Sequence, residues 1–304
     1  MSGLPPTIRV FERGWLSSNN ILLFDGADAA TLIDSGYIKH AAETVQIVGE
    51  ALGTRRLARL LNTHAHSDHI GGNAAVQAAF GCRIAVPAGH AKPIHDWDED
   101  ALLLEPLSQR AEPFRADGVL EAGEEIVAGE LAWRLIAVPG HDMDALALYN
   151  ADREILIPGD ALWENGFGVI FPELVGRPGG FAATRSTLDT LARLPVRWVI
   201  PGHGRPFSDV DGALTRAYGR LDALESDPER FARNALKVVL SFALMDRGRI
   251  RRDDLPEFFA QSSFCAHISR NYLHRDPAEL GAEIARELAK VGALRRVDDC
   301  WEPF

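Results

Sequence analysis

The sequence predicts an α/β fold made of two related halves, each a β-sheet with helices outside, followed by a mainly helical C-terminal domain. Two observations support this prediction. Strand-length apolar runs alternate with amphipathic helical stretches over residues 1–208. From about residue 209 the pattern becomes almost wholly helical. We therefore expect two domains, residues 1–208 and 209–304.

The first half begins with a predicted β-hairpin. The runs ILLF and ATLID flank the turn DGAD within residues 19–34. Residues 40–52 carry apolar side chains at helical spacing and end at Gly53. The strand LARLLNT (57–63), the short helix GGNAAVQAAFG and the strand CRIAVP follow. Residues 90–122 have no clear period, and we expect an irregular helical insertion there.

The second half becomes strand-rich again from Gly129. It contains the strands LAWRLIAVP, ALALYN and REILIPGD, a helix over 179–194 and the last strand RWVIPGHG. Helices are then predicted at about 230–246, 252–261 and 277–291, before a terminal hairpin in GALRRVDDCWEPF. Helices followed by a hairpin are also the pattern of a winged helix. The sequence leaves open whether the C-terminal domain is winged-helix-like or simply helical.

Composition and charge exclude several classes of protein. The chain is 46% hydrophobic and 25% charged, which is typical of a globular protein. Its net charge of −11 argues against a nucleic-acid partner. The N-terminus lacks the apolar core of a signal peptide, and we expect no membrane span. The distant cysteines Cys82, Cys265 and Cys300 form no C-x-x-C pair, so we expect a reduced, cytoplasmic protein.

The stretch LLNTHAHSDHIGG, residues 60–72, holds three histidines and an aspartate within six positions. Imidazole nitrogens and carboxylate oxygens are the ligands that zinc and similar metals prefer. His64 and His66 are two positions apart, so an extended chain directs both to one side. Asp68 and His69 follow where a turn enters the next helix. The cluster therefore predicts a metal site rather than a solvated loop.

Three more strand ends carry residues of the same type. The segments VPGHD, IPGDA and IPGHG each end an apolar strand at Pro-Gly, and they contribute His141, Asp160 and His203. Functional groups are commonly held on loops at the ends of the strands of a rigid sheet. Repetition of this arrangement strengthens the prediction of a metal site.

Over roughly residues 19–204 these motifs resemble the metallo-β-lactamase superfamily. The resemblance implies a four-layer αββα sandwich that holds two divalent ions. It assigns three ligands to the first ion, three to the second and a bridging carboxylate to both: His64, His66 and His141; Asp68, His69 and His203; and Asp160.

The resemblance also implies the chemistry. The expected enzyme is a dinuclear hydrolase that uses a metal-bridging hydroxide, with Asp68 as the catalytic residue that orients the water. Zinc is the expected metal, with iron and manganese as alternatives. His66, where oxygen-reducing relatives have Glu, and the bridging Asp160 favour a carboxylic ester, thioester or lactone as the small-molecule substrate. Asp34, in LIDSG, is expected to support the ligands, although an ordinary turn residue is the alternative.

Two other functions stay open. One is a metal-dependent phosphodiesterase or ribonuclease. The other is a non-enzymatic regulator that binds DNA or a partner through the C-terminal domain, where DRGRIRR (246–252) is the one basic run. The sequence leaves the oligomeric state open, and a homodimer is one alternative.

Two local features have alternative interpretations. After His141, in HDMDA, relatives usually have Ser or Thr and then Pro or Gly, whereas this chain has Asp142, Met143 and Asp144; the extra acid either tunes the first metal or faces solvent. The aromatics Trp163, Phe167 and Phe171 either line an apolar substrate pocket or pack beneath the C-terminal domain.

Overall fold

Two β-sheets form the centre of the N-terminal part of the computed structural model, which describes residues 3–304. The first sheet has six strands in chain order; β1–β3 are antiparallel neighbours, and β3–β6 are parallel: β1 Ile8–Phe11, β2 Asn20–Asp25, β3 Ala29–Ile33, β4 Arg56–Leu61, β5 Arg83–Pro87 and β6 Gly118–Leu120. The second sheet runs in the order β11-β10-β9-β8-β7, and only its β10–β11 pair is parallel: β7 Glu125–Ala128, β8 Leu131–Ala137, β9 Leu146–Asn150, β10 Ile155–Gly159 and β11 Trp198–Pro201.

Apolar side chains of both sheets form one shared core. Ile33 and Leu61 from the first sheet belong to the same buried cluster as Leu148 and Trp133 from the second. Burial of these side chains removes apolar area from water, which is the main stabilising contribution to such a layer. The Trp133 indole N–H donates to the Ala128 carbonyl at 2.8 Å, so its one polar group is satisfied inside the core.

Helices accompany both sheets: α1 Ala41–Leu52, α2 Ser67–Ile70, α3 Asn73–Phe80, α4 Ala88–Asp96, α5 Phe171–Leu174, α6 Gly180–Leu191 and α7 Val210–Glu225. Helix α3 packs against α1, β4 and β5. Helix α6 reaches the end of β8, where the Thr187 hydroxyl donates to the Pro139 carbonyl at 2.7 Å. The predicted α/β sandwich is confirmed.

The predicted hairpin over 19–34 is confirmed, since β2 and β3 pair antiparallel with Ile21 opposite Ile33. The expected irregular helical insertion differs in detail. It begins as helix α4, which ends at Trp97 in the left-handed conformation (φ 51°). Turns follow, and the three-residue strand β6 completes the segment. Such a short strand leaves no periodic signal in the sequence.

The chain divides into two compact units, residues 1–102 with 110–221 and residues 103–109 with 222–304. The second unit contains four helices and a three-stranded antiparallel sheet of order β12-β14-β13: α8 Pro228–Arg247, β12 Ile250–Arg251, α9 Leu255–Gln261, α10 Ser263–Asn271, α11 Pro277–Lys290, β13 Leu294–Val297 and β14 Cys300–Pro303.

The predicted terminal hairpin is therefore confirmed. Helix α10 is an additional helix, which lies between two predicted helices and was not itself predicted. Its N-cap is Ser262, whose hydroxyl accepts the Cys265 N–H at 3.2 Å. The same hydroxyl donates to the Pro106 carbonyl at 3.0 Å, which ties the 103–109 segment into this unit. Among residues 3–304, none of the helices combines the length and apolar character of a membrane span.

Candidate metal centre

The histidine-rich segment lies directly after β4. His64 and His66 lie on the extended segment that follows β4 in the chain. Asp68 and His69 lie on the short helix α2. The helix is followed at once by Gly71, where a Cβ atom would lie 2.4 Å from the Ile38 backbone nitrogen. Only glycine permits this close approach of two backbone segments.

The other three predicted residues also follow strand ends. His141 comes after β8, Asp160 directly after β10 and His203 after β11. Gly202 lets the last of these loops pass the carboxylate closely, because a Cβ there would lie 2.2 Å from Asp160 Oδ1. The two sheets thus bring side chains from four loops to one place.

The structure gathers the seven predicted side chains into two donor groups. In each group the candidate ligand atoms all lie within 4.8 Å of one another: His64, His66 and His141; and Asp68, His69, Asp160 and His203. In the first group, His66 Nδ1 lies 2.7 Å from His141 Nε2.

Asp160 lies between the two groups. Its Oδ2 is 3.6 Å from His141 Nε2 and 3.6 Å from His203 Nε2, and its Oδ1 is 3.4 Å from His69 Nε2. The two oxygens of this carboxylate therefore approach imidazoles of both groups.

Unpaired nitrogens show that the donor set fits cations. His64 Nε2 and His69 Nε2 are buried and have no hydrogen-bond partner among the described residues. A buried polar atom without a partner is costly. Two ions bound by these groups would satisfy both nitrogens. Imidazoles combined with carboxylates suit zinc, iron or manganese.

The protonation states of His64 and His66 favour ligation. Burial lowers the pKa of His64 well below its usual value, and the neighbouring histidines lower it further. Burial, followed by the nearby His141, lowers the pKa of His66 to about 3. Metal ligands must be deprotonated, so these two imidazoles need give up no proton near neutral pH.

Burial disfavours the ionised forms of both carboxylates, but the surrounding histidines outweigh it. The pKa of Asp68 is lowered by the hydrogen bond from His203, whose Nε2 lies 3.1 Å from Asp68 Oδ2. The pKa of Asp160 is lowered by His203 and His69. Both acids are therefore available as anions.

Asp34 supports the centre from outside the donor set. Its Oδ2 lies 2.8 Å from His69 Nδ1, and its Oδ1 accepts the Thr63 N–H at 2.9 Å. Burial lowers the pKa of His69, but Asp34 and Asp160 outweigh burial and raise it. The Asp34 backbone has φ 55°, a conformation that few non-glycine residues adopt. A carboxylate behind a ligand histidine fixes the orientation of its ring.

Asp142 lies half-buried beside the first donor group. Its Oδ2 accepts from His90 Nε2 at 2.9 Å and lies 3.8 Å from His66 Nε2. Asp144 is exposed, and its backbone N–H donates to Asp142 Oδ1 at 2.8 Å. The two acids that the sequence left open therefore have different environments. His90, from α4, is the residue that sequence reasoning did not place here.

The three predicted pocket aromatics also have different environments. The Trp163 indole N–H donates to Asp160 Oδ1 at 3.1 Å. The Phe171 ring lies edge-on to His66, at 5.3 Å between ring centroids. Phe167 is fully buried, with the Arg220 guanidinium 5.4 Å above its ring.

One family model matches most of the N-terminal part of the chain. The family model described as the Metallo-beta-lactamase superfamily matches residues 13–203, which includes all seven donor residues.

Curated relatives carry the name hydroxyacylglutathione hydrolase. The protein from Rhodospirillum rubrum is 30% identical over 233 residues, which is 74% of this chain and 79% of the relative. The protein from Ectopseudomonas mendocina is 33% identical over 48% of this chain and 46% of the relative. The match to the Methylococcus capsulatus protein, at 35% identity, covers 40% of this chain and 41% of that relative. With the exception of the first, these matches span about half of the relative's length or less.

Solved structures share the fold. A metallo-beta-lactamase family protein from Thermus thermophilus superposes with a TM-score of 0.60 at 19% identity and covers 99% of both chains. The B3 metallo-beta-lactamase BLEG-1 gives a TM-score of 0.57 at 20% identity, over 68% of this chain and 96% of that one.

Proposed function

Since the chain belongs to the metallo-beta-lactamase superfamily, we propose that it is a dinuclear metal-dependent hydrolase that acts on thioesters. The observation that carries the proposal is the position of Asp160, whose carboxylate approaches His141 of one donor group and His69 and His203 of the other. One group would hold the first ion through three imidazoles. The other would hold the second ion, and Asp160 would serve both.

When bound, two divalent ions lower the pKa of a coordinated water and polarise the carbonyl that is attacked. The protein side chains then position the reactants and move protons. Asp68 is the candidate proton acceptor, because it is ionised and its Oδ2 lies beside His203 at 3.1 Å. A proton held at Asp68 Oδ2 can be returned to the leaving thiolate, which completes the hydrolysis.

The thioester class is supported by the relatives. Hydroxyacylglutathione hydrolase is the name of a thioester hydrolase, and the match to the Rhodospirillum protein covers most of both chains. Trp163 and Phe171 would form the apolar wall beside the ions, whereas Phe167 is fully buried. Oxygen esters and lactones share the carbonyl electrophile and are the next substrates to test.

Further parts of the proposal concern the metal, the C-terminal unit and the compartment. We propose zinc as the metal, because histidine-rich sites bind it well. The helices and three-stranded antiparallel sheet of residues 222–304 support a winged-helix-like arrangement. Burial raises the pKa of Cys82 to about 11 and that of Cys265 to about 12, and these unreactive thiols are compatible with the reducing cytoplasm.

The test is a metal analysis combined with a substrate panel. Purified protein should contain about two ions per chain, as the two donor groups allow. It should hydrolyse S-acyl glutathiones with a higher kcat/KM than matched oxygen esters, lactones or bis-nitrophenyl phosphate. Preference for the phosphodiester would favour the ribonuclease alternative. Full metal loading with no hydrolysis of any substrate would favour a regulator.

A further inference from the structure

An exposed indole stands beside the candidate metal centre. Trp15 is 59% exposed, although Leu16 and the residues up to Asn20 are buried. Its ring stacks on the imidazole of His203, with the centroids 5.5 Å apart and the planes 10° from parallel. Trp163 closes one side of this stack and meets Trp15 edge-on at 5.3 Å. The three rings form a corner that faces solvent through Trp15.

The turn that carries this indole is tied to the loops of the centre. The Ser18 N–H donates to the Asp68 carbonyl at 2.9 Å, and the Asn19 N–H donates to the Gly202 carbonyl at 2.6 Å. The Asn19 side chain closes the turn by accepting the Arg13 N–H at 3.0 Å. The fold thus holds an apolar side chain next to the donor groups with more than half of its surface in water.

We propose that Trp15 and Trp163 form a subsite for an aromatic or other flat apolar group of the substrate, next to the bond that is cleaved. The proposal rests on the hydrolase function for its position in catalysis. Aromatic rings bind indoles in offset-stacked or edge-on geometry, and the Trp15–Trp163 corner offers both. The Trp163 N–H is already bonded to Asp160, so its ring presents an apolar surface.

Substrate is favoured over a protein as the occupant of this corner. Trp15 stacks on His203, whose Nε2 lies 3.1 Å from Asp68 Oδ2, so a group bound to the indole lies next to the donor residues. The exposed apolar area here is one side chain followed by buried residues. Protein interfaces require patches of roughly several hundred Å².

The kinetic test compares three thioesters in the zinc-loaded protein. S-acetyl N-acetylcysteamine is the reference, S-phenylacetyl N-acetylcysteamine has a phenyl group on the acyl side, and the acetyl thioester of 2-phenylethanethiol has it on the thiol side. For Trp15→Ala, the ratio of kcat/KM on a phenyl substrate to that on the reference should fall roughly tenfold. Trp15→Phe should retain most of the ratio. The substrate whose ratio falls identifies the side that the indole contacts.

Trp97→Ala is the matched control, because it removes a half-buried indole that packs on Phe114, outside the corner. Its ratios should equal those of the wild type. Equal losses on all three substrates in Trp15→Ala, or no loss on any, would overturn the subsite.

A binding measurement separates the subsite from the reaction. Phenylacetate and 2-phenylethanol, with acetate and ethanol as references, are titrated by equilibrium binding. In the wild type, the phenyl probe that the indole contacts should bind more tightly than its reference. Its affinity should fall roughly tenfold in Trp15→Ala and stay unchanged in Trp97→Ala. If this occurs in a protein that hydrolyses no thioester, the subsite stands and the proposed function fails. If thioesters are hydrolysed but neither ratio nor binding depends on Trp15, the function stands and the subsite is wrong.

Discussion

Asp142 and the buried His90 form a hydrogen-bonded pair, with 2.9 Å between Asp142 Oδ2 and His90 Nε2. The same Oδ2 lies 3.8 Å from His66 Nε2, the ring nitrogen opposite the one that faces His141. The pair therefore lies directly behind a candidate ligand of the first ion. A carboxylate this close to the opposite ring nitrogen raises the basicity of His66 by its negative charge.

Replacement of Asp142 with Asn should weaken binding of the first ion by about 10- to 100-fold, because the charge behind His66 is lost. Isothermal titration with zinc, or the d–d spectrum of the cobalt-loaded protein, measures the change. The matched control is Asp152→Asn, which removes the same charge from an exposed turn outside the clusters of candidate ligands. Equal weakening in both variants would show a general charge effect and contradict this role.

The variant Asp160→Asn should retain one ion per chain and lose most turnover. The shared carboxylate supplies negative charge to both donor groups, so kcat should fall roughly a hundredfold or more. Metal analysis and thioester kinetics report the two effects. Asp152→Asn, on the exposed turn before β10, is the control and should behave as the wild type. A variant with two ions and normal kcat would remove Asp160 from the mechanism.

Gly202→Ala should disturb the candidate metal centre through a steric clash, without any change of charge. The new Cβ would lie 2.2 Å from Asp160 Oδ1 and 3.0 Å from His69 Cε1, so the carboxylate or the loop must move. Overpacking of this kind costs about 1–3 kcal/mol. We expect reduced metal content and a lower Tm, measured by metal analysis and thermal denaturation. Gly219→Ala, in α7, meets no atom within 4 Å; its metal content should stay unchanged and its Tm should not fall, because alanine favours a helix more than glycine does.

The stability of metal-free protein should depend on pH through His66. Its folded pKa of about 3 lies below the unfolded value of 6.5. As the pH falls below 6.5, the unfolded chain binds a proton that the folded chain does not. This lowers the free energy of unfolding by up to about 1.4 kcal/mol per pH unit. The contribution is complete above 6.5 and is lost progressively toward pH 3.

Chemical denaturation of chelator-treated wild type and His66→Gln between pH 7 and pH 4 tests this dependence. In both proteins His69 changes the free energy of unfolding with pH in the opposite direction, because its pKa is raised. The difference between the two proteins therefore isolates His66. The wild type should lose more stability on acidification, and parallel curves would refute the expectation.

Local sequence patterns predicted much of the fold and the position of the centre. The hairpin, the buried strands and the strand-end residues each leave a signal within about a dozen positions, because the strand and helix periods are local. The structure adds contacts between distant segments. His90 meets Asp142 across 52 positions, and Trp15 meets His203 although they lie near opposite ends of the N-terminal unit. Neither contact has a periodic signature, since each depends on how the completed sheets pack.

Sharing of one carboxylate also links the loading of the two ions thermodynamically. If Asp160 holds both ions, binding of one would restrain its carboxylate and offset part of its charge, so the affinity of the other donor group would change. Reciprocity requires the same factor for either order of entry. Under metal scarcity, the proportions of empty, singly loaded and doubly loaded protein would therefore depend on a coupling constant in addition to the two intrinsic affinities.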